Sequence, residues 1–230
     1  MQAGNLGFRF CFQTVFWLGV MAVMLLAGAD NPAWPQAWAF LVLFGLGSAA
    51  FGIWLIRRNP ELLAVRLGRL SQPGQPVWDK LFLLVFVALW LLWLWMMGRD
   101  AQVWQISHMP FGLNLAGGLL LLAGFLGVAR VFKENSFAAP VVRVQTERRQ
   151  RVVDTGPYAR VRHPMYAYAM LYLFGTPLLL GSWLGMAGAL VMVLGLMGRT
   201  VREEEMLTRR LAGYDEYRAR VRYRLIPGIW

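Results

Sequence analysis

Residues 81–98 read LFLLVFVALWLLWLWMMG, eighteen side chains without a charge, bounded by Lys80 on one side and Arg99-Asp100 on the other. A helix crosses the hydrocarbon of a bilayer with about 20 mainly apolar residues. Within that hydrocarbon the backbone must satisfy its own polar groups, which favours helices. Working outward, the same texture recurs at residues 8–29, 36–56 and 111–132. Asp30-Asn31-Pro32, the 57–80 loop and the 99–110 loop separate these runs. A fifth apolar stretch, 166–197, is too long for one span, and Gly181-Ser182 divides it into two shorter limbs, as a tight helical hairpin requires. The reading is an all-α, polytopic membrane protein of five to six transmembrane helices. It comprises a four-helix region at 1–132 and an integrated unit at 133–230 made of a polar loop, the C-terminal helical hairpin and a tail.

Composition agrees. An apolar content of 58% with mean hydropathy +0.47 lies outside the range of soluble domains. The eleven Trp, fourteen Phe and seven Tyr sit within the apolar runs and at their ends, as interfacial belts do. A net charge of +11 could signal nucleic acid, but its distribution argues against that partner. Among the 23 Lys and Arg, Arg99 alone falls in a loop assigned to the outer side. This positive-inside asymmetry puts the 57–80, 130–162 and 199–230 segments, together with both termini, in the cytoplasm. The first apolar run lacks a basic n-region and a small-residue cleavage site, so it reads as a retained span. Cys11 is the single cysteine, which excludes an intramolecular disulfide. With two distant histidines, a metal site is not expected.

Within the 57–80 loop, Pro60-Glu61-Leu62-Leu63 reads as a short amphipathic helix lying on the headgroups, and Pro73-Gly74-Gln75-Pro76 as a turn.

Polar chemistry concentrates in two places. In the first, proline disfavours helical geometry in the residue before it and suits the first helical position, so a helix should begin at Pro164 with His163 as its cap. The N–H groups of Met165, Tyr166 and Ala167 then face outward from a positive helix end that attracts an anion. Just upstream, Thr155-Gly156-Pro157-Tyr158 forms a turn that lets backbone approach a ligand. A capped helix preceded by a turn is also an ordinary structural start. The second place is Arg199-Thr200-Val201-Arg202-Glu203-Glu204-Glu205, where the last span leaves the bilayer. At 100° per residue Glu203 shares a stripe with Leu196, Thr200, Leu207 and Leu211, whereas Glu205 faces away and is set to pair with Arg209. A carboxylate on a packed face near the bilayer is costly unless paired or used, and an Arg199–Glu203 pair is the plain alternative.

Together these segments, Gln145 to Tyr166 with Thr155-Gly156-Pro157-Tyr158 and Arg162-His163-Pro164-Met165-Tyr166, then Arg199 with Glu203-Glu204 and Leu207, resemble the isoprenylcysteine carboxyl methyltransferase family. They are also similar to the related phospholipid N-methyltransferases and bacterial thiol methyltransferases. The likeness spans roughly residues 135–227; residues 1–130 agree in hydropathy only. It implies transfer of a methyl group from S-adenosylmethionine to a lipophilic acceptor presented from the membrane, at a cytoplasmic cofactor pocket. By this resemblance the cofactor falls to Gln145, to backbone around Val152 and Val153, to Gly156 and Tyr158, to His163, Pro164, Met165 and Tyr166, and to Glu203 and Glu204. Arg199 faces the acceptor as the catalytic candidate. Two rivals stand beside it. One is a membrane sterol or steroid reductase using NADPH, whose phosphates the Glu203-Glu204 pair would repel. The other is a non-enzymatic protein whose arginine face binds anionic lipid. The acceptor's chemistry and the oligomeric state stay open.

Overall fold

The computed structural model describes residues 3–230, and the side chains from residue 5 onward. The expectation for the first two residues, including the position of the N-terminus itself, lies outside the described residues. Eight α-helices account for the described chain: α1 (Ala3–Ala29), α2 (Pro35–Arg58), α3 (Pro60–Arg66), α4 (Val77–Gly98), α5 (Phe111–Glu134), α6 (Pro164–Leu180), α7 (Trp183–Arg210) and α8 (Tyr214–Arg220). A π-helical turn, Arg99–Trp104, extends α4. Five helices are long and apolar enough to cross a membrane, and the chain is a multi-pass, all-helical membrane protein. The sixth apolar helix, α6, has 17 residues. The hairpin turn falls at Gly181, whose φ of 81° is natural for glycine, and Ser182 caps α7 by accepting from the Gly185 amide at 2.8 Å.

The core runs through the bundle from Met21 and Leu25 of α1 to Phe40 of α2, Trp93 and Met97 of α4, Leu173 and Leu180 of α6, and Met192 and Leu196 of α7. In a bilayer, where lipid tails are as apolar as leucine, close packing of small residues drives helix association. The α5–α6 seam follows that rule. A Cβ on Gly117 would lie 2.3 Å from the Leu179 amide nitrogen, and one on Gly175 would lie 2.8 Å from the Gly117 carbonyl oxygen. Outward leucines such as Leu46, Leu84, Leu119 and Leu194 are exposed, as lipid contact requires.

The bundle has two polar ends. At one, Asp100 has no exposed surface and accepts from the hydroxyls of Ser107 and Ser182. Asn114 there donates to the Leu178 carbonyl at 2.8 Å. At the other, α3 meets the long 135–163 segment: Asn59 donates to Ser136 Oγ at 2.9 Å and Arg66 to the Ala138 carbonyl at 3.0 Å. The three arginine-rich stretches of the sequence gather at this second end. The short helix read at Pro60 is present, but it does not lie free on a headgroup layer. Leu62 and Leu63 are buried against Leu6, Leu55, Val131 and Phe132, because α1, α2 and α5 converge there and offer a drier surface than the interface.

The α5–α6 seam makes a direct prediction. Gly117→Val should destabilise the protein by on the order of 3 kcal/mol through overpacking against backbone. Gly112→Ala, with nothing within 4 Å of the added carbon, should leave stability unchanged or slightly raised. Thermal unfolding in detergent compares the two.

Candidate functional site

α6 begins at Pro164 as the sequence predicts, with His163 at the cap position and no side-chain capping bond. The expectation of three outward-facing amides is corrected. The Tyr166 and Ala167 amides donate to the His163 carbonyl at 3.1 and 3.2 Å, which closes the first turn on itself. The positive helix end finds its anions within the chain. His163 Nδ1 lies 4.0 Å from Glu203 Oε2 and Nε2 lies 3.3 Å from Glu204 Oε1, the latter misaligned for a hydrogen bond.

Which glutamate is buried also differs from the helical-wheel expectation. Along α7 the covered face passes from Met192 and Leu196 to Thr200 and then, by a step of four, to Glu204 rather than Glu203. Once α7 leaves the apolar bundle its neighbours become the α6 start and the C-terminal tail, and these turn the packed face onward by one position. Glu204 accepts from Arg162 Nε at 2.5 Å and from Arg224 Nε at 2.8 Å. Arg162 also reaches the Val221 and Arg222 carbonyls, both at 2.7 Å. Glu204 is therefore a neutralised strut that ties α7 to the tail. The tail in turn pairs with the α6 entry, the Arg162 and His163 amides donating to Tyr223 and Arg224 carbonyls at 2.9 Å. Glu205 is exposed as expected, but no ion pair joins it to Arg209 among the described residues.

Glu203 remains partly exposed and faces a cavity of about 100 Å³, in part open to solvent. The cavity joins the α6 start to α7 beneath the 135–163 segment. Of the residues expected to hold a ligand, Val152, Val153, Tyr158, His163, Met165, Tyr166 and Glu203 line it. Tyr166 donates its hydroxyl to Glu203 Oε2 at 2.5 Å, and its ring stacks parallel to His163, centroids 5.7 Å apart. Tyr158 accepts from Asn135 Nδ2 at 2.7 Å. Burial pushes the Tyr158 phenol well above its ordinary range, with nearby Glu203 adding to the shift and the Asn135 bond opposing it. Tyr158 is accordingly a neutral hydrogen-bonding group at any physiological pH.

The other candidates stand behind the wall. Gln145 has no exposed surface and staples the segment, donating to the Phe137 carbonyl at 2.7 Å and accepting from Arg148 at 2.9 Å. Gly156, at φ 57°, turns the chain against α5, where a Cβ would sit 2.6 Å from Glu134 Cγ. Pro164 is buried in the helix start. Arg199 does not pair with Glu203. It donates to Asp79 Oδ1 at 2.9 Å and to the Pro140 carbonyl at 2.9 Å, with its guanidinium 5.5 Å from the Tyr166 ring centroid. Asp79 escaped the sequence reading because it stands at the end of a polar loop, where an acid is unremarked. The repulsion expected from two glutamates reduces to Glu203 alone, since Arg162 and Arg224 compensate Glu204.

Among the described residues, three buried polar atoms on residues lining the cavity form no hydrogen bond: Arg143 Nε, the Tyr214 hydroxyl and His163 Nε2, the last already 3.3 Å from Glu204 Oε1. Buried polar groups of this kind are normally hydrogen-bonded, so the cavity suits a polar ligand. Arg151 adds positive charge to its lining, as does Arg143, which is paired with Glu147.

The fold and this cavity define a multi-pass membrane protein with a polar chamber closed over by a loop and a tail. Residues 113–213, from α5 to the end of α7, match the phospholipid methyltransferase family. That family belongs with the isoprenylcysteine carboxyl methyltransferases to one membrane methyltransferase superfamily, in accord with the resemblance read from the sequence, and it supports methyltransferase activity for this chain. No curated protein matches the chain.

The two glutamates should separate cleanly by mutation. Glu204→Ala leaves Arg162 buried without its partner and should cost about 3 to 5 kcal/mol of stability. Glu203→Ala, at a partly open position, should unfold close to wild type. Thermal denaturation in detergent distinguishes them.

Proposed function

We propose that this protein transfers a methyl group from S-adenosylmethionine to a lipophilic acceptor presented from the membrane. The observation that carries the reading is the single cavity that brings the His163–Tyr166 helix start together with Glu203 of the next helix. S-adenosylmethionine bound there would supply an activated methyl group on a positively charged sulfonium. Glu203, oriented by the Tyr166 hydroxyl, is suited to accept hydrogen bonds from the amino group or ribose hydroxyls. The faces of Tyr158 and Tyr166 offer negative quadrupole to a cation. For the cofactor's carboxylate, the chain offers Arg151 and, where Glu147 gives up its partner, Arg143, in the role that the α6 amides of Tyr166 and Ala167, already bonded, cannot fill. The Tyr214 hydroxyl, on a lining residue and without a hydrogen bond among the described residues, is a further donor for such a ligand.

The chain's contribution to rate is position and electrostatics, holding donor and acceptor in line while the cofactor carries the chemistry. Arg199, fixed behind Tyr166 by Asp79 and the Pro140 carbonyl, backs the wall on this reading and is not itself presented to the acceptor. The gathering of arginine-rich stretches at the cavity end supports a cytoplasmic orientation of the site by the positive-inside rule. Residues 133–230 are on this reading the catalytic unit and residues 1–132 its membrane scaffold.

Calorimetric titration of the purified protein in detergent should show S-adenosylmethionine binding, and Glu203→Ala and His163→Ala should each weaken it by about tenfold or more. Labelled methyl from the cofactor should enter the lipid-soluble fraction of membrane extracts, and mass analysis of the product identifies the acceptor. Unchanged affinity in both variants, or binding of NADPH in place of S-adenosylmethionine, overturns the assignment.

A further inference from the structure

Asp79, at the third position of α4, has no exposed surface and makes three hydrogen bonds to three separate segments. Oδ1 accepts from Arg199 Nε of α7 at 2.9 Å. Oδ2 accepts from the Val142 amide at 2.9 Å and from Gln75 Nε2, in the turn before α4, at 2.7 Å. Arg199 reaches the same stretch from its other edge, donating Nη2 to the Pro140 carbonyl. The pair thus grips residues 140 and 142, whose neighbours Ala139 and Val141 line the cavity. The Arg199 guanidinium also lies between two rings, 5.4 Å from the centroid of Phe82 and 5.5 Å from that of Tyr166. Tyr166 lines the cavity and holds Glu203. A carboxylate that does not itself line the cavity therefore stands one contact behind two of its walls, the 139–142 stretch through Val142 and the Tyr166 ring through Arg199.

We propose that Asp79 is a positioning residue for this cavity, acting through Arg199 and the Val142 amide to set where the 139–142 wall and Tyr166 stand. Because Asp79 and Phe82 belong to α4, outside the 113–213 match, α4 supports the site as well as forming part of the membrane scaffold. A buried ion pair serving stability alone is replaceable by a neutral pair of similar volume. Of the four bonds that Asp79 and Arg199 direct to Val142, Gln75, Pro140 and each other, a neutral Asn–Gln pair can remake three, but glutamine is too short to reach the Pro140 carbonyl that Arg199 Nη2 holds. The inference rests on the cofactor reading above for its affinity measurement only.

The test uses the full chain in detergent with Asp79→Asn, Arg199→Gln and the double variant, read by thermal unfolding, by hydrogen exchange of the 139–145 peptide, and by S-adenosylmethionine affinity. Each single variant leaves an unpaired buried charge and should lose thermal stability; the double variant should regain most of it. Despite that recovery, the double variant should keep faster exchange in the 139–145 peptide and an affinity weaker by on the order of tenfold, the scale on which lost supporting contacts act. Recovery of stability, exchange and affinity together makes the pair merely structural and overturns the proposal. Gln75→Ala, which withdraws one bond from Asp79 and spares the ion pair, should speed exchange in the same peptide; no change there also overturns it. If wild-type protein fails to bind S-adenosylmethionine, the cofactor reading falls while the exchange comparison still decides the role of Asp79.

Discussion

A carboxylate taken out of water must be neutralised and hydrogen-bonded, because its desolvation costs several kcal/mol that only close partners offset. Asp79 and Glu204 are both in this position, and the polar end of the molecule is built around them. Asp79 gathers α4, α7 and the 135–163 segment; Glu204 gathers α7, the α6 start and the C-terminal tail. The cavity lies between these two knots. Neither knot is formed within a single helix, so the chamber exists only when the distant segments have docked.

The requirement explains a division of labour among neighbouring acids. Glu204, fully engaged by arginines, is unavailable to a ligand, whereas Glu203 keeps one face toward the cavity and one bond to Tyr166. One residue step on a helix turns a side chain by 100°, enough to place one glutamate in the scaffold and the next in the chamber. The same logic applies to Arg162 and Arg199, cations whose donors are largely taken up by backbone carbonyls and carboxylates. The remaining cations of the cavity lining come from the loop: Arg143, paired with Glu147, and Arg151.

At the apolar end of the scale, the bilayer simplifies the problem. Helices are obligatory there, and the glycine seam between α5 and α6 brings two backbones close enough to fix the short α6 at a defined depth and rotation. That rotation presents His163, Met165 and Tyr166 to α7. The tail from Val221 to Trp230 then closes the entry by pairing with Arg162 and His163, and Leu225 joins the core.

Hydropathy, charge asymmetry and the Pro164 helix start are local properties, so the apolar spans, the hairpin at Gly181 and the polar stretch that roofs the cavity were legible in the order of residues alone, whereas the π-helical end of α4, the polar extension of α7 and the short α8 were not. The motif spacing from Thr155 to Glu203 likewise marked the neighbourhood of the cavity. What the chain could not reveal was partner choice. Gln145 and Glu204 turned inward to hold the scaffold, the α6 amides closed on His163, and Arg199 bonded to Asp79, 120 residues away, rather than to a neighbour on its own helix. Hydrogen bonds of that reach depend on the relative rotation and depth of packed helices. Such quantities are set by the sum of many side-chain contacts, and no single stretch of sequence carries them.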